Sequence, residues 1–345
     1  MPTWGEILKE VQASARERRP LGTGPDLDGI RLKYLKALHA RSEHAVISYM
    51  SGWLQGGKSA LAHSVEGQNV HGLMEVCYQV EDRKLDLILH SPGGSPEAAE
   101  QMLEYLRTQF DYIRAIVPLQ AKSAATMIAL GCDEILMGEH SELGPIDPQI
   151  LMPVPEGRRF APAHAILRDF RRAKEECKTD VGNLGAWTPI LRSYAGGLIE
   201  FCHQQVQLSI EVVEKWLARY MLRHDDLQIS PDDRPGKAKS IAEWFGSEES
   251  YDKFRSHGRP LRYPQLKEQG LRVRRLEDDD VLQDAALSIF HANEISFNGP
   301  AVKIIENHLG RRKVNLQQEI LIGPEPAPSP SRPVNRKKRR AQRGR

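Results

Sequence analysis

Four short apolar runs, separated in part by helix-like segments, constrain the fold of this 345-residue chain most strongly. They are AVISYMS (45–51), LDLILH (85–90), YIRAIVPL (112–119) and EILMG (134–138). Each run has the length and composition of a buried strand. After the second run, Ser95 and Pro96 form a helix cap followed by a first-turn proline. Strands that alternate with helices at this spacing predict an α/β domain with mainly parallel strands.

The flanking segments have a different character. Residues 1–40 show charged helical patterns broken at RRPLGTGPD, and helical patterns recur over 163–225 and roughly over 281–309. Five prolines among small residues in 323–333 indicate an extended linker. We therefore predict three parts, which are a helical N-terminal extension (1–40), one α/β domain (41–310), and a Pro-rich linker with a disordered basic tail (311–345).

The net charge of +2 combines an acidic body with a basic tail. Residues 331–345 contain eight Lys and Arg and no acidic residue, so the rest of the chain has 40 basic against 46 acidic residues. Such a tail favours weak, nonspecific binding of a polyanion. Because no aromatic residue is interleaved with the charges, stacking on nucleic-acid bases is not indicated.

The cysteines and the apolar segments indicate a cytoplasmic protein. Cys77, Cys132, Cys177 and Cys202 are too far apart for a zinc knuckle or a redox pair, so we expect buried free thiols. The sequence contains no apolar run of membrane-spanning length and no secretory signal at its start. No HExxH or similar ligand spacing occurs, so we expect no metal and no cofactor.

One motif matches a phosphate-binding loop. Residues 52–59 read GWLQGGKS, which satisfies GxxxxGK[ST] with Lys58 and Ser59 at the last two positions. However, Gly67 and its neighbours interrupt the helix that such a loop needs, and no later strand ends in an aspartate for magnesium. Nucleotide binding is thus a minor alternative.

Two strand-to-helix turns carry the stronger chemical signal. LDLILH leads into SPGGS and a helix, and YIRAIVPL leads through Gln120–Lys122 into Ser123 and a second helix. Turns at the same end of adjacent parallel strands are where α/β proteins build their sites. Ser123 has the position of a nucleophile, and the amides of Gly93, Gly94 and Ala124 could stabilise an oxyanion. The alternative is that Ser123 only caps a helix and the glycines only form a turn.

The segments HSPGGSPEAAE, AKSAATMIALGCDEILMGEHSELGPIDPQ and SHGRPL resemble the serine dehydrogenase proteinases, relatives of signal peptide peptidase A and of the ClpP/crotonase superfold. The resemblance runs from about Ala45 to Gly310. It implies a ClpP/crotonase-like spiral of strand-strand-helix units, a homo-oligomer, and an ATP-independent serine peptidase acting on polypeptides. It also implies Ser123 as the nucleophile, with Gly93, Gly94 and Ala124 around the oxyanion.

The serine requires a base. Lys174 falls within an apolar stripe of the 163–177 helix, where burial would lower its pKa and let it act as that base. We therefore expect a Ser123–Lys174 dyad, with Lys178 as a weaker substitute. His140 and His257 are auxiliary candidates. Asp147, in GPIDPQ, is expected to stabilise a turn.

Two departures from the family pattern keep other functions open. Lys122 precedes the serine where a small or thioether residue is usual, and Ala125 replaces a glycine. An inactive oligomeric scaffold of the same fold is therefore an alternative. An acyl-CoA-transforming crotonase relative is disfavoured, because those enzymes lack a nucleophile where Ser123 stands.

Overall fold

The computed structural model describes residues 3–19, 24–56, 60–154 and 157–317. The helices are α1 Trp4–Arg18, α2 Leu27–Ser42, α3 Ala60–His63, α4 Val70–Cys77, α5 Pro96–Gln109, α6 Ala124–Leu130, α7 Ala163–Thr179, α8 Leu184–Leu191, α9 Leu198–Arg219, α10 Arg234–Gly246, α11 Glu248–Phe254, α12 Tyr263–Glu268 and α13 Asp280–Phe297. The strands are β1 Ala45–Ser51, β2 Lys84–His90, β3 Tyr112–Val117, β4 Gln120–Ala121, β5 Glu134–Met137, β6 Glu142–Leu143, β7 Gln149–Val154, β8 Gly157–Pro162, β9 Val273–Arg275, β10 Ala301–Asn307 and β11 Arg312–Leu316.

A seven-stranded sheet in the order β11-β10-β1-β2-β3-β5-β9 forms the centre of the fold. Neighbouring strands from β1 to β9 in this order are parallel, whereas β10 is antiparallel to β1 and β11 to β10. The four predicted strands are β1, β2, β3 and β5, which lie side by side. The predicted mixed α/β fold with a mainly parallel sheet is confirmed.

A second, small sheet accompanies the first. β4 follows β3 directly and pairs in parallel with β6, and α6 follows β4. This order of strand, strand and helix is the repeating unit that the ClpP-like resemblance implies. It also carries the chain from the end of β3 to the start of α6, where Ser123 lies.

The predicted helical run over 281–309 is wrong in its second half. Helix α13 ends at Phe297, and residues 301–307 form β10. Gly299 and Pro300 disfavour continuation of the helix, and the β-branched residues after them favour a strand. The sheet also continues through β11, beyond the domain end predicted at residue 310. The predicted linker at 323–333 and the basic tail lie outside the described residues.

Helix α2 is tied to the sheet by a buried ion pair. The Arg31 side chain is 2% exposed, and its Nε lies 2.9 Å from the carboxylate of Glu306 in β10. The same guanidinium donates to the Ser296 hydroxyl in α13 at 2.7 Å. The second helix of the expected N-terminal extension therefore packs against the α/β core. The division into parts stays a prediction.

A hairpin and two helices project beside the sheet. β7 and β8 pair in antiparallel register, and residues of this hairpin pack with α7 and α9 around Ile166, Leu167 and Cys202. Ile150 of this cluster also lines the cavity described below, together with Leu151 and Phe160 of the hairpin. Among the described residues, no helix combines the length and apolarity that a bilayer crossing would require.

Candidate active site

The two strand-to-helix turns predicted from the sequence lie side by side. The Ser91 amide donates to the Gln120 carbonyl at 3.1 Å, and the Lys122 amide donates to the Ser91 carbonyl at 3.0 Å. These bonds continue the β2–β3 pairing past the ends of both strands. They bring the SPGG turn alongside the residue before Ser123.

Gly93 makes the closest approach between the turns. It has φ +94°, and a Cβ built on it would lie 2.4 Å from the Lys122 carbonyl oxygen, 2.6 Å from Ser123 Cβ and 2.9 Å from the Ala124 amide nitrogen. No side chain fits in that space. The glycine therefore permits direct contact between the turn and the candidate nucleophile.

Gly94 faces a different neighbour. The Val65 amide donates to the Gly93 carbonyl at 2.7 Å, and the Ser95 amide donates to the Val65 carbonyl at 3.0 Å. A Cβ on Gly94 would lie 2.2 Å from the Val65 carbonyl oxygen. Of the three predicted oxyanion residues, Gly93 and Ala124 thus lie against Ser123, while Gly94 is held by Val65.

The backbone of Ser123 is strained. This residue has φ 51° and ψ −121°, a conformation that a non-glycine residue rarely adopts and that costs roughly 1–3 kcal/mol. Ser123 stands at the N-cap position of α6, but its hydroxyl makes no capping hydrogen bond. The interpretation of Ser123 as only a helix cap therefore loses its physical basis. Strain of this kind is characteristic of nucleophiles held at sharp strand-to-helix turns.

Ser123 lines a cavity of about 720 Å³. Its walls are mainly apolar, and Gly93, Gly94 and His257 also line it. Its apolar lining includes Met127, Ile146, Ile150, Leu151, Phe160 and Phe201. The cavity is large enough to hold several residues of an extended peptide.

His257 and Asp147 form a hydrogen-bonded pair in this cavity region. The His257 Nδ1 atom lies 2.8 Å from Asp147 Oδ1, and the aspartate side chain is 3% exposed. The other carboxylate oxygen of Asp147 accepts a hydrogen bond from Gln149 at 2.8 Å. With both oxygens engaged, the carboxylate is fixed in orientation toward the imidazole.

Pairing with β6 brings these two residues together. Leu143 and Leu261 exchange backbone hydrogen bonds at 2.9 and 3.1 Å, which places the loop containing His257 next to the segment that leads to Asp147. The Ile146 amide also donates to the Phe245 carbonyl at 3.0 Å. From the sequence, Asp147 is expected only to stabilise a turn. Its hydrogen-bond partner His257 is 110 residues away, so no local sequence pattern indicates the pair.

The predicted placement of Lys174 on a buried face is wrong. Lys174 is exposed, and it is not among the described residues that line the cavity containing Ser123. Helix α7 buries Ile166, Leu167 and Ala173, but its last turns leave the core, and Phe170 of the expected stripe is exposed as well. The substitute Lys178 is also exposed and pairs with Glu175 at 3.0 Å.

The auxiliary candidate His140 lies elsewhere. His140 is exposed, and its Nε2 atom is 2.9 Å from the Pro118 carbonyl oxygen. It is not among the described residues that line the cavity. Of the two predicted auxiliary histidines, only His257 is among the described residues that line the cavity with Ser123.

The two departures from the family pattern point away from the cavity. The Lys122 ammonium lies 2.7 Å from Glu142 and donates to the Leu143 carbonyl at 3.1 Å. Burial lowers the pKa of Lys122, against the opposing effect of Glu142. Ala125 is fully buried in the main core. Neither residue obstructs Ser123, so the sequence argument for an inactive scaffold is weakened.

The GxxxxGKS segment does not resemble a phosphate site where it is described. A Cβ on Gly52 would lie 2.5 Å from the Phe297 ring, and the helix after the motif, α3, ends already at His63. Lys58 and Ser59 lie outside the described residues. The described part of the motif therefore has a packing role.

One group of metal-ligand side chains occurs at the opposite end of the sheet. Ligand atoms of His39, Asp82 and His308 lie within 4.8 Å of one another in the described part of the chain. The two histidine rings are stacked, with centroids 4.1 Å apart and planes 19° apart. Because the lone pairs of the rings lie in these nearly parallel planes, they do not converge on one ion.

Comparisons with known proteins match part of the chain. Residues 70–180 match the family model of the ClpP-like SDH-type serine proteinases. This match confirms the resemblance seen in the sequence, and it contains Ser123, both glycines and Asp147. His257 lies outside the matched segment.

Two curated relatives are uncharacterized proteins of Methanocaldococcus jannaschii. The chain is 46% identical to MJ0137 over 70 residues, which are 20% of this chain and 24% of that protein. It is 43% identical to MJ1495 over 96 residues, or 28% and 30% of the two chains. The chain thus spans about a third or less of the relatives it matches.

Among solved structures, a serine-to-alanine mutant of a membrane-bound stomatin-specific protease is similar to this chain. The alignment covers 64% of this chain and 79% of that one, with 15% sequence identity and a TM-score of 0.34.

Proposed function

Because residues 70–180 match a family of serine proteases, we propose that this chain is a serine peptidase with Ser123 as its nucleophile. The observation that carries the proposal is that Ser123, with a strained backbone and no capping bond from its hydroxyl, lines a cavity with His257. His257 is in turn hydrogen-bonded to the buried Asp147. A nucleophile, a base and a carboxylate that orients the base are the three groups that acyl transfer needs.

We assign the role of base to His257. With its Nδ1–H donated to Asp147, the imidazole has Nε2 available to accept the Ser123 proton. The serine oxygen then bonds to the substrate carbonyl carbon, and the amides of Gly94 and Ala124 stabilise the oxyanion. The Gly93 amide, the third expected donor, donates to the Ser91 hydroxyl at 3.2 Å and would have to leave that bond to take part. His257 returns the proton to the leaving amine as the peptide bond breaks, and water hydrolyses the resulting ester by the same route.

The Ser123–Lys174 dyad expected from the sequence is the competing assignment. It would require the exposed end of α7 to approach Ser123, whereas His257 already lines the cavity. We therefore give His257 the principal role rather than the auxiliary one, and we assign Asp147 to orient it.

The proposal extends to assembly and location. Exposed apolar side chains at the cavity edge and on the neighbouring helices, among them Phe160, Phe170 and Phe201, favour a homo-oligomer that covers them. Four free cysteines support a reducing, cytoplasmic location. Unfolded or short polypeptides, hydrolysed without ATP, are the proposed substrates, and the basic tail is proposed to bind polyanions weakly.

Active-site labelling with a fluorophosphonate tests the proposal. The wild-type protein should be labelled and should hydrolyse an unfolded polypeptide without ATP, whereas Ser123→Ala should do neither and should keep its fold. Labelling of Ser123→Ala at the wild-type level would refute the nucleophile assignment. A folded wild-type protein that is neither labelled nor active would favour the inactive scaffold.

A further inference from the structure

The backbone of Val65 is hydrogen-bonded to the turn that contains Gly93 and Gly94. Val65 is fully buried and exchanges hydrogen bonds with Gly93 and Ser95 on either side of Gly94. Any displacement of Val65 would therefore move the turn that contacts Ser123. What holds the Val65 segment in place thus bears on the geometry of the active site.

A buried lysine from the distant strand β10 holds this segment. The Lys303 residue is 2% exposed, and its Nζ donates to the Ser64 carbonyl at 2.5 Å and to Asn69 Oδ1 at 2.9 Å. The ammonium also lies 5.5 Å from the centroid of the Tyr49 ring. The lysine side chain therefore connects β10 in the sheet to Ser64, the residue before Val65.

Asn69 connects the lysine to the other side of the same segment. Its Oδ1 atom accepts hydrogen bonds from the Tyr49 hydroxyl at 2.8 Å and from the Glu66 amide at 3.0 Å, as well as from Lys303. The residues before and after Val65 are thus both fixed to one buried polar network.

We infer that Lys303 is a positioning residue for the active site. Its hydrogen bonds to Ser64 and Asn69 hold the Val65 segment in place. That segment in turn supports the Gly93–Gly94 turn. The inference rests on the proposed peptidase function. Lys303 lies outside the residues that line the cavity, so it acts through the turn and not on the substrate.

The protonation state of Lys303 provides a signature of this role. Burial lowers the pKa of Lys303 to about 8, and the Glu66 carboxylate opposes this effect. Among the described residues, the other titratable groups around this network are Tyr49 on β1 and His63 on α3, whose ring nitrogen lies 3.1 Å from the Val302 carbonyl oxygen. Hydrogen bonds from an ammonium are roughly twice as strong as those from a neutral amine. The hold on Ser64 should therefore weaken above about pH 8.

Lys303→Met tests the inference, with Lys313→Met on the neighbouring strand β11 as the matched control. Two measurements are needed, which are amide exchange of Val65 and Ser95 and the rate of Ser123 acylation by a fluorophosphonate from about pH 6 to pH 10. We expect Lys303→Met to exchange faster at both amides and to be acylated about tenfold more slowly at pH 7. The wild-type inflection near pH 8 should disappear, and the control should behave as wild type.

Asn69→Asp is the second variant. It places a carboxylate beside Nζ without changing the side-chain shape, so the pKa of Lys303 and the inflection should both move to higher pH. An inflection that stays near pH 8 in either variant would overturn the inference, as would unchanged exchange in folded Lys303→Met. If wild-type Ser123 is never acylated, the proposed function fails, while the exchange measurement still decides whether Lys303 holds the segment.

Discussion

The imidazole of His257 lies 2.8 Å from the carboxylate of Asp147, although 110 residues separate them in the chain. The pair borders the cavity that contains Ser123, and Gln149 engages the second carboxylate oxygen. A buried aspartate held in this way selects the histidine tautomer that can accept a proton on Nε2. This relationship supports the proposed histidine base in place of the lysine base expected from the sequence.

Replacing Asp147 with Asn should leave the fold intact and lower kcat by about 10⁴, because an amide favours the wrong histidine tautomer. Steady-state hydrolysis of a peptide substrate measures this effect. His140→Gln is the control, since His140 is not among the described residues that line the cavity and its Nε2 atom lies 2.9 Å from the Pro118 carbonyl oxygen. Activity of Asp147→Asn within about threefold of wild type would remove the pair from the mechanism.

Replacing Lys174 with Ala should leave kcat unchanged, because this lysine is exposed on α7. Lys178→Ala, one turn further along the same exposed segment, is the matched comparison. Both variants are measured by fluorophosphonate labelling and hydrolysis at neutral pH. A selective loss of activity in Lys174→Ala alone would restore the Ser123–Lys174 dyad and assign His257 an auxiliary role.

Replacing Gly93 with Ala should abolish labelling of Ser123. The new methyl group would lie 2.6 Å from Ser123 Cβ and 2.4 Å from the Lys122 carbonyl, at a φ of +94° that alanine rarely adopts. Gly236→Ala in α10 is the contrasting variant, because no atom lies within 4 Å of the added Cβ. That change should preserve activity and raise the free energy of unfolding by up to about 1 kcal/mol. Equal labelling of the two variants would contradict the proposed contact.

The free energy of unfolding should rise with pH for wild type relative to Lys303→Met. Burial lowers the pKa of Lys303 to about 8 in the folded chain from 10.5, so between these values the unfolded chain binds the extra proton. The gain approaches roughly 3 kcal/mol once the pH exceeds both values. Denaturant unfolding of both proteins from about pH 7 to pH 11 measures the difference. A pH-independent difference would show that the lysine is not desolvated.

The central strands could be predicted from the sequence because their side chains are buried on both faces. The runs at 45–51 and 85–90 are mainly apolar, with Asp86 as their one charged residue, and they form β1 and β2 with the expected parallel pairing. Strand β10 was missed because Lys303 and Glu306 interrupt its apolar pattern. Both charges are buried, and their partners come from other parts of the chain.

The assignment of Lys174 failed for a related reason. Helical spacing identifies the residues that share a face, but it does not show where a helix leaves the core. Within the expected stripe of α7, Ile166, Leu167 and Ala173 are buried, whereas Phe170 and Lys174 are exposed. The local pattern was therefore extended past the point where tertiary packing supports it.

By itself, the sequence determined the α/β fold, the two strand-to-helix turns and the position of Ser123 between a short strand and a helix. These features depend on local periodicity and on residues that are close in the chain. Only the tertiary structure decided which distant residues line the cavity with Ser123 or support its walls. The pairing of Leu143 with Leu261 brings His257 to Asp147, and the packing of β10 brings Lys303 to Ser64. Such contacts join distant segments, and no local pattern of residues encodes them.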